Sequence, residues 1–185
     1  MDRNGIIDKN AGGKDVIYMG NIVLIGMPGA GKSTIGVILA KVIGYQFIDS
    51  DLLIQKQEGC LLVDIMERDG LEGFLAIENQ VNREIVTDRS VISTGGSIIY
   101  CPEAMEHLRS IGTVVYIKLT CKTIENRLGN IKQRGVALKE GQTLRSLYDE
   151  RCPLYEAYAH IVVDGEELGV EELMEKIAIE VAGKQ

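Results

Sequence analysis

Several residue types that mark particular protein classes are scarce in this 185-residue chain. It has no tryptophan, two histidines and four cysteines, and no two cysteines form a C-x-x-C pair. Neither a zinc site nor a disulfide framework is therefore expected, and the cysteines are predicted to be reduced thiols. No apolar run approaches the roughly 18 residues that a membrane span needs, and the first 20 residues do not resemble a signal peptide. We therefore expect a cytoplasmic protein with no membrane partner.

Positive charge is also in short supply. The chain has 20 Lys and Arg residues against 27 Asp and Glu residues, which gives a formal net charge of −7 and a pI near 5.0. It presents no overall positive field to a polyanion, so nucleic acid is not an expected partner. With 45% hydrophobic residues and a mean hydropathy of +0.05, the chain can form the core of one domain by itself, and we predict a monomer.

After residue 20, short apolar segments alternate with longer amphipathic ones. Five segments rich in Val and Ile are predicted strands: Asn21–Ile25, Tyr45–Ile48, Ser90–Ser93, Thr113–Leu119 and His160–Val163. Apolar spacings of three and four predict seven helices: Lys32–Ile43, Leu53–Glu67, Phe74–Val86, Pro102–Arg109, Thr120–Leu128, Thr143–Ala157 and Val170–Val181. The strands are near-continuous apolar runs, as burial on both faces of a parallel sheet requires. We therefore predict, for residues 21–185, a three-layer α/β fold with a doubly wound, five-stranded parallel sheet.

Two segments lie outside this alternation. Residues 1–20 show no clear period over most of their length and are predicted to be a loosely held N-terminal extension, with its degree of order left open. Gly129–Gln142 is polar and holds three glycines and three cationic side chains. We predict that it is a mobile lid, with a plain surface loop as the alternative.

The segment Gly26–Ser33, GMPGAGKS, satisfies the phosphate-loop pattern G-x-x-x-x-G-K-[ST]. It follows a predicted strand and opens a predicted helix, which is the context in which this pattern binds phosphate. The glycines let the backbone wrap the phosphates, and the N–H groups at the helix N-terminus supply positive potential. Lys32 would add a point charge, and the Ser33 hydroxyl would bind Mg²⁺. The predicted nucleotide-binding residues are Gly29, Ala30, Gly31, Lys32, Ser33 and Thr34.

Two carboxylates follow the second predicted strand, in Phe47-Ile48-Asp49-Ser50-Asp51. Open α/β sheets bind ligands at this edge, and a spacing of two points both side chains the same way if the strand continues. Phosphoryl transfer to an alcohol needs one carboxylate near Mg²⁺ and another that accepts the proton of the attacking hydroxyl. The alternative is a helix N-cap beside a solvated acid.

Other candidates are weaker when taken one at a time. Thr94-Gly95-Gly96-Ser97 follows the third strand, and its glycines would permit close approach of the backbone to a substrate, with a simple turn as the alternative. Glu78, in the middle of a predicted helix, has no feature that separates it from a surface acid.

Four arginines lie in the predicted lid and its flanking helices, where they could stabilise the charge of a transferring phosphate. Each one alone is typical of a surface arginine. Pro153 predicts a kink that turns the nearby Arg151 inward. The four are Arg127, Arg134, Arg145 and Arg151.

Together these motifs resemble the shikimate kinase family, within the nucleoside-monophosphate-kinase-like branch of phosphate-binding-loop enzymes. The resemblance covers roughly residues 20–183. It is carried by the phosphate loop, F-x-D-x-D after the second strand, the Gly-Gly turn after the third, an arginine seven residues before the lid arginine, and R-x-P-L-Y. It implies that the protein uses ATP and Mg²⁺ to phosphorylate a hydroxyl of shikimate.

On the nucleotide side, the resemblance implies that Lys32 and Ser33 bind the phosphates and Mg²⁺, with Asp49 supporting the metal through water. Arg127 would lie against adenine, and Arg134 in the lid would act on the transferring phosphate.

On the acceptor side, the resemblance places the substrate between about residues 52 and 88 and the sheet edge. Asp51 would hold the substrate hydroxyls and act as the base. Gly95 and Gly96 would offer backbone groups, and Arg151 would bind the substrate carboxylate. The implied catalytic residues are Asp51, Lys32 and Arg134.

Three positions depart from the family pattern. The family reads F-R-x-x-E where this chain has Phe74-Leu75-Ala76-Ile77-Glu78, so an arginine that pairs with the shikimate carboxylate is replaced by Leu75. Ser97 replaces a third glycine, and the lid has Arg134-Gly135-Val136-Ala137-Leu138 in place of R-P-L-L.

These departures leave two alternatives open. Because Leu75 is expected to make one wall of the pocket apolar, the acceptor could be another small hydroxylated metabolite. The chain could also be a non-catalytic ATP-binding module, although a mere ATP binder has no need of Asp51, Arg134 and Arg151.

Overall fold

The computed structural model describes residues 20–128 and 141–184, together with two short strands before them. Those strands, β1 (Ile7–Asp8) and β2 (Val16–Ile17), pair antiparallel. A second sheet has five strands: β3 (Asn21–Ile25), β4 (Gln46–Asp49), β5 (Ser90–Ser93), β6 (Gly112–Lys118) and β7 (Ile161–Asp164). They are all parallel and lie in the order β4-β5-β3-β6-β7. The five predicted strands are confirmed, with bounds shifted by one residue or less.

The helices cover both faces of this sheet. They are α1 (Lys32–Ile43), α2 (Ser50–Glu58), α3 (Leu62–Arg83), α4 (Pro102–Ile111), α5 (Cys121–Leu128), α6 (Leu144–Tyr158) and α7 (Val170–Gly183). Helices α1 and α7 pack together, and so do α3 and α4, as right-handed crossovers on opposite faces require. The predicted three-layer, doubly wound fold is confirmed. Among the described helices, none combines the length and apolar character that crossing a bilayer needs.

The prediction was wrong for the helices between β4 and β5. Leu53–Glu67 and Phe74–Val86 were expected, but α2 ends at Gly59, which adopts φ +71°, and α3 starts at Leu62. The Asp64 carboxylate accepts a hydrogen bond from the Leu61 N–H at 3.1 Å and so caps the new helix. Helix α3 then bends at Gly70, where φ is +70°. Local capping therefore sets these boundaries, which apolar spacing alone does not reveal.

The apolar core explains why the strands carry so few polar residues. Every residue of β3 and β5 is buried, whereas the edge strand β7 alternates between buried and exposed positions. A second, smaller cluster joins α2 to α3 and is formed by Ile54, Ile65, Phe74 and Val81. Most of the predicted lid, including Arg134, lies outside the described residues.

One buried polar side chain, Asn21, ties three segments together at the start of β3. Its amide nitrogen donates to the carbonyls of Thr87 and Ile111 at 3.1 and 2.9 Å, and its amide oxygen accepts from the Ser90 N–H at 3.0 Å. Only 2% of Asn21 is exposed, so water cannot replace these partners.

We expect Asn21→Ala to lower the free energy of unfolding by about 3 kcal/mol, because it leaves buried backbone groups without partners. Thermal denaturation should show a fall in Tm of about 6–12 °C. Gln57→Ala, at an exposed position of α2, is the control and should change Tm little. An equal effect of both substitutions would contradict the role given to Asn21.

Candidate active site

The loop between β3 and α1 is shaped to hold an anion. Gly29 and Gly31 have φ of +81° and +94°, in the left-handed region that favours glycine. Gly31 is the N-cap of α1 and has no side chain with which to cap it, and the first turn carries no acidic residue. The first N–H groups of α1 therefore offer hydrogen bonds and positive potential to a phosphate.

Lys32 lies across this loop. Its Nζ donates to the carbonyl oxygens of Gly26 and Met27 at 2.9 and 3.1 Å, and the residue is only 8% exposed. Burial lowers the pKa of Lys32 to about 8, while the charge of Asp51 opposes the shift. The ammonium is thus held beside the loop, in a dry environment where its charge acts strongly.

A cavity of about 310 Å³ lies next to the loop, at the carboxyl ends of the strands. It brings together nine of the predicted site residues: Gly29, Gly31, Lys32, Ser33, Thr34, Asp51, Gly95, Gly96 and Arg151. Ala30 and Arg127 instead line a neighbouring cavity of about 270 Å³, which shares Gly29, Gly31 and Thr34 with the first. The predicted site residues therefore divide between two adjoining cavities, and the resemblance assigns the second one to adenine.

The two carboxylates after β4 have different environments. The strand ends at Asp49, so the predicted alternation along a continuing strand does not apply. Asp49 caps α2, and its Oδ1 accepts from the Asp51 N–H at 3.0 Å. The alternative interpretation expected Asp51, which precedes the apolar helical segment, to be the N-cap, but the cap is Asp49. Asp51 lies in the first turn of α2, and its Oδ1 is buried without a hydrogen-bond partner among the described residues.

Burial raises the pKa of Asp51 to about 6, and the charge of Asp49 adds to the shift while Lys32 opposes it. At neutral pH the Asp51 carboxylate is therefore mostly ionised, and it is more basic than an exposed aspartate. A carboxylate of this kind is suited to accept a proton from a hydroxyl.

Oxygen donors that suit Mg²⁺ lie at the same place. The Ser33 hydroxyl is 3.2 Å from the Ser93 hydroxyl, at the base of α1. Asp51 lines the same cavity as Ser33, and Asp49 caps the helix that carries Asp51, so hard oxygen donors that suit this cation are present beside the phosphate loop.

The Gly-Gly turn after β5 needs glycine for steric reasons. A Cβ on Gly95 would clash with Glu78 Oε1 and would lie 2.9 Å from Asp51 Oδ1. The N–H and hydroxyl of Thr94 both bond to the carbonyl oxygen of Leu24, at 3.2 and 3.0 Å, and so fix the turn against β3. The backbone at Gly95 therefore approaches two carboxylates closely.

Arg151 reaches the cavity from α6, where it is 1% exposed. The helix continues through Pro153 without interruption. Arg151 shares the buried face of α6 with Leu147 and Tyr155, so helical periodicity accounts for its inward direction without the expected kink. The Tyr155 hydroxyl donates to the Gly96 carbonyl at 2.5 Å and joins this helix to the Gly-Gly turn.

Two further residues from the sequence analysis, Arg145 and Leu75, do not line the cavity. Arg145 is exposed and pairs with Asp149 on the surface of α6, at 3.0 Å. Leu75 packs against both apolar clusters and is not among the residues that line the cavity, whereas Phe74 and Leu62 are. The apolar part of the cavity lining is therefore formed by Phe74, Leu62, Leu128 and Pro28.

Glu78 is the buried acid beside the site whose position the sequence reasoning missed. It is 0% exposed, and neither carboxylate oxygen makes a well-formed hydrogen bond within the described residues. Burial raises the pKa of Glu78 to about 7, while the nearby Ser97 hydroxyl opposes the shift, the Asp51 charge adds to it, and the Arg151 charge opposes it. The expectation of a surface acid is wrong. Helical spacing carried the signal, because Glu78 lies four residues after Phe74 and three before Val81 on the buried face of α3.

Comparisons of the sequence with known proteins identify the family to which this site belongs. The family model for shikimate kinase matches residues 28–182. A shikimate kinase from Synechococcus sp. (strain RCC307) is 36% identical over 168 residues, which cover 88% of this chain and 85% of that protein. One from Nitrosomonas europaea is 40% identical over 149 residues, which cover 78% and 70%. The chain belongs to the shikimate kinase family.

A solved structure supports the same assignment. The shikimate kinase from Acinetobacter baumannii, in complex with shikimate, superimposes with a TM-score of 0.84 at 32% identity, over 90% of this chain and 95% of that one. This member of the shikimate kinase family is therefore a phosphotransferase that acts on an alcohol group of a small molecule, with ATP and Mg²⁺ as cofactors. The predicted family, fold and type of reaction are confirmed.

The raised pKa of Glu78 leads to a prediction about how the stability of this shikimate kinase family member depends on pH. Below pH 4.5, its usual pKa, Glu78 is protonated in both the folded and the unfolded chain. Between pH 4.5 and about 7 only the unfolded chain ionises, so the free energy of unfolding falls as pH rises, and above pH 7 the loss is complete. Glu78→Gln should thus raise the free energy of unfolding by about 3 kcal/mol at pH 8, and Tm by about 6–12 °C.

Thermal denaturation at pH 4 and pH 8 tests this expectation. The gain should be small at pH 4, and Glu72→Gln, at an exposed position of the same helix, should show no gain at either pH. A gain of equal size at both pH values would mean that Glu78 is not protonated on folding.

Proposed function

We propose that this protein transfers the γ-phosphate of ATP to a hydroxyl of shikimate, with Asp51 as the base and Arg151 as the group that binds the substrate carboxylate. One observation carries the proposal. A carboxylate with a raised pKa and a buried guanidinium share a cavity with the lysine of a phosphate loop. The proposal thus assigns one side of the cavity to the nucleotide and the other to the acceptor.

On the nucleotide side, the backbone N–H groups of residues 29–34 and the Nζ of Lys32 are proposed to bind the phosphates. Mg²⁺, when bound, would neutralise phosphate charge, and Ser33 and Asp49 would hold it. Arg127 is proposed to lie against adenine, since it lines the neighbouring cavity beside α7. The role of Arg134 on the transferring phosphate stays a prediction, because that residue lies outside the described part of the chain.

On the acceptor side, Asp51 is proposed to accept the proton of the attacking hydroxyl. Its position in the first turn of α2, next to Gly95, supports this role, because an acceptor that contacts the carboxylate would also be close to the backbone of the Gly-Gly turn. Arg151 would orient the acceptor through its carboxylate, since a guanidinium matches that group in geometry and charge. Fixing the acceptor in this way lowers the entropic part of the barrier.

A second acceptor remains a candidate because of position 75. Among the described residues that line the cavity, only Lys32 and Arg151 are cationic, and Leu75 cannot supply a further guanidinium. A small hydroxylated metabolite with a different anionic group is therefore the alternative acceptor. The predictions of a monomer, of a cytoplasmic location and of no nucleic-acid partner stay predictions.

Asp51→Asn should reduce kcat by about 10²–10⁴ and leave the KM for ATP nearly unchanged, since the amide cannot accept the proton. In the native protein, kcat/KM for shikimate should fall below about pH 6, as Asp51 becomes protonated, and the variant should lack this acid limb. Asp88→Asn, at an exposed position before β5, is the matched control. An active Asn variant that keeps the acid limb would remove Asp51 from the role of base.

The test of the acceptor is ADP release from MgATP by the purified protein, with and without saturating shikimate, and with Lys32→Ala as the blank. A large shikimate-dependent rate that is absent from the variant is the expected result. ATP binding in calorimetry without such a rate would contradict shikimate as the acceptor. A rate with another hydroxylated acid from a panel would then identify the alternative.

A further inference from the structure

Arg151 has to be held in place, because a buried guanidinium carries five N–H donors on a flexible stem. The residue is 1% exposed, and its Nη1 lies 3.2 Å from the point that a Cβ on Gly96 would occupy. The terminal nitrogen is thus directed to the Gly-Gly turn. The direction of this guanidinium decides how an anionic group of the acceptor is bound.

Tyr100 contacts Arg151 in two ways. The guanidinium lies over the Tyr100 ring, with its carbon 5.2 Å from the ring centroid, and the Arg151 Nε–H donates to the Tyr100 hydroxyl at 3.4 Å. The ring face restricts the plane of the guanidinium, and the hydroxyl restricts its rotation within that plane. Tyr100 ends the 3₁₀ turn Ile98–Tyr100, which directly follows the Gly-Gly turn and Ser97.

Glu150 fixes the Tyr100 hydroxyl in turn. That hydroxyl donates to Glu150 Oε1 at 2.8 Å, and Glu150 Oε2 accepts from the Gln142 Nε2 at 2.7 Å. Burial raises the pKa of Tyr100, so the hydroxyl stays protonated and able to donate. Glu150 and Arg151 are neighbours in α6, and Gln142 directly precedes the N-cap of that helix. The Glu150 carboxylate therefore accepts a hydrogen bond at each oxygen, one from the 3₁₀ turn and one from the residue before the N-cap of α6.

We infer that Tyr100 and Glu150 are positioning residues that orient the Arg151 guanidinium toward the acceptor and so determine the affinity for its anionic group. The inference rests on the proposed function in one respect, namely that Arg151 binds the acceptor. Neither residue is among those that line the cavity in the described part of the chain, so both act through Arg151. The affinity for the acceptor depends on them, whereas the binding of ATP does not.

Tyr100→Phe tests the hydroxyl while it keeps the ring beneath the guanidinium. We expect the KM for shikimate to rise about tenfold, as for loss of a hydrogen bond to a charged group, with kcat and the KM for ATP unchanged within about twofold. Tyr148→Phe is the matched control, because the Tyr148 hydroxyl donates to the Leu119 carbonyl at 2.8 Å, away from the cavity. An unchanged KM for shikimate in Tyr100→Phe overturns the inference.

A double-substitution cycle tests whether Tyr100 acts through Arg151. In the Arg151→Lys background, Tyr100→Phe should change kcat/KM for shikimate by less than about twofold, because the group that it positions has gone. If the two losses multiply instead, Tyr100 acts independently of Arg151 and the inference is wrong.

A measurement without substrate separates this inference from the proposed function. In protein labelled with ¹⁵N-arginine, the Arg151 Nε–H signal is assigned by its loss in Arg151→Lys, and its exchange with solvent is measured by NMR. Exchange should be slow in the native protein, at least tenfold faster in Tyr100→Phe and unchanged in Tyr148→Phe. If shikimate gives no ADP release but this pattern appears, the acceptor is wrong and the positioning role stands. Unchanged exchange in Tyr100→Phe overturns the inference whatever the acceptor.

Discussion

The site depends on a small set of charges that the fold buries together. Lys32 and Arg151 supply the positive charge, and Asp51 and Glu78 supply acidic groups whose charges act on Lys32, while the charge of Arg151 acts on Glu78. Burial moves the pKa of Lys32 to about 8, of Asp51 to about 6 and of Glu78 to about 7. Because water is largely excluded, each charge acts strongly on its neighbours. Burying charged groups costs free energy, and the rest of the structure has to offset that cost while it holds the groups in place.

The sheet supplies the rigid frame. β3 and β5 are buried at every position and lie side by side, so the segments that follow them meet at one edge with the end of β4. β3 also borders β6, on the side where the strand order reverses, and open α/β sheets bind ligands at this kind of switch point. Three consecutive turns therefore contribute the phosphate loop, Asp51 and the Gly-Gly turn. Arg151 and Glu78 come instead from the middle of helices.

This division explains how much could be predicted from the sequence. The five strands, the phosphate loop and the carboxylates after β4 are local patterns, and the structure confirms where they lie. The end of α2 at Gly59 and the bend at Gly70 depend on capping and left-handed glycines, which apolar spacing does not report. Glu78 was missed because charge favours exposure, although its helical position pointed to the buried face. Tyr100 and Glu150 could not be found at all, since their connection to Arg151 exists only in three dimensions.

Asp51 and Glu78 are buried carboxylates with oxygens that have no hydrogen-bond partner among the described residues, and their burial lowers the stability of the folded protein. The charge of Asp51 adds to the raised pKa of Glu78, and a carboxyl group whose pKa is raised on folding lowers stability at neutral pH. A protein selected for stability alone would replace Glu78 with a neutral residue. This protein instead keeps a second carboxylate beside Gly95, next to the turn that the substrate is proposed to contact. The apolar core supplies stability that offsets the loss at Glu78. Such a local loss of stability is expected where a residue is retained for the chemistry of a site.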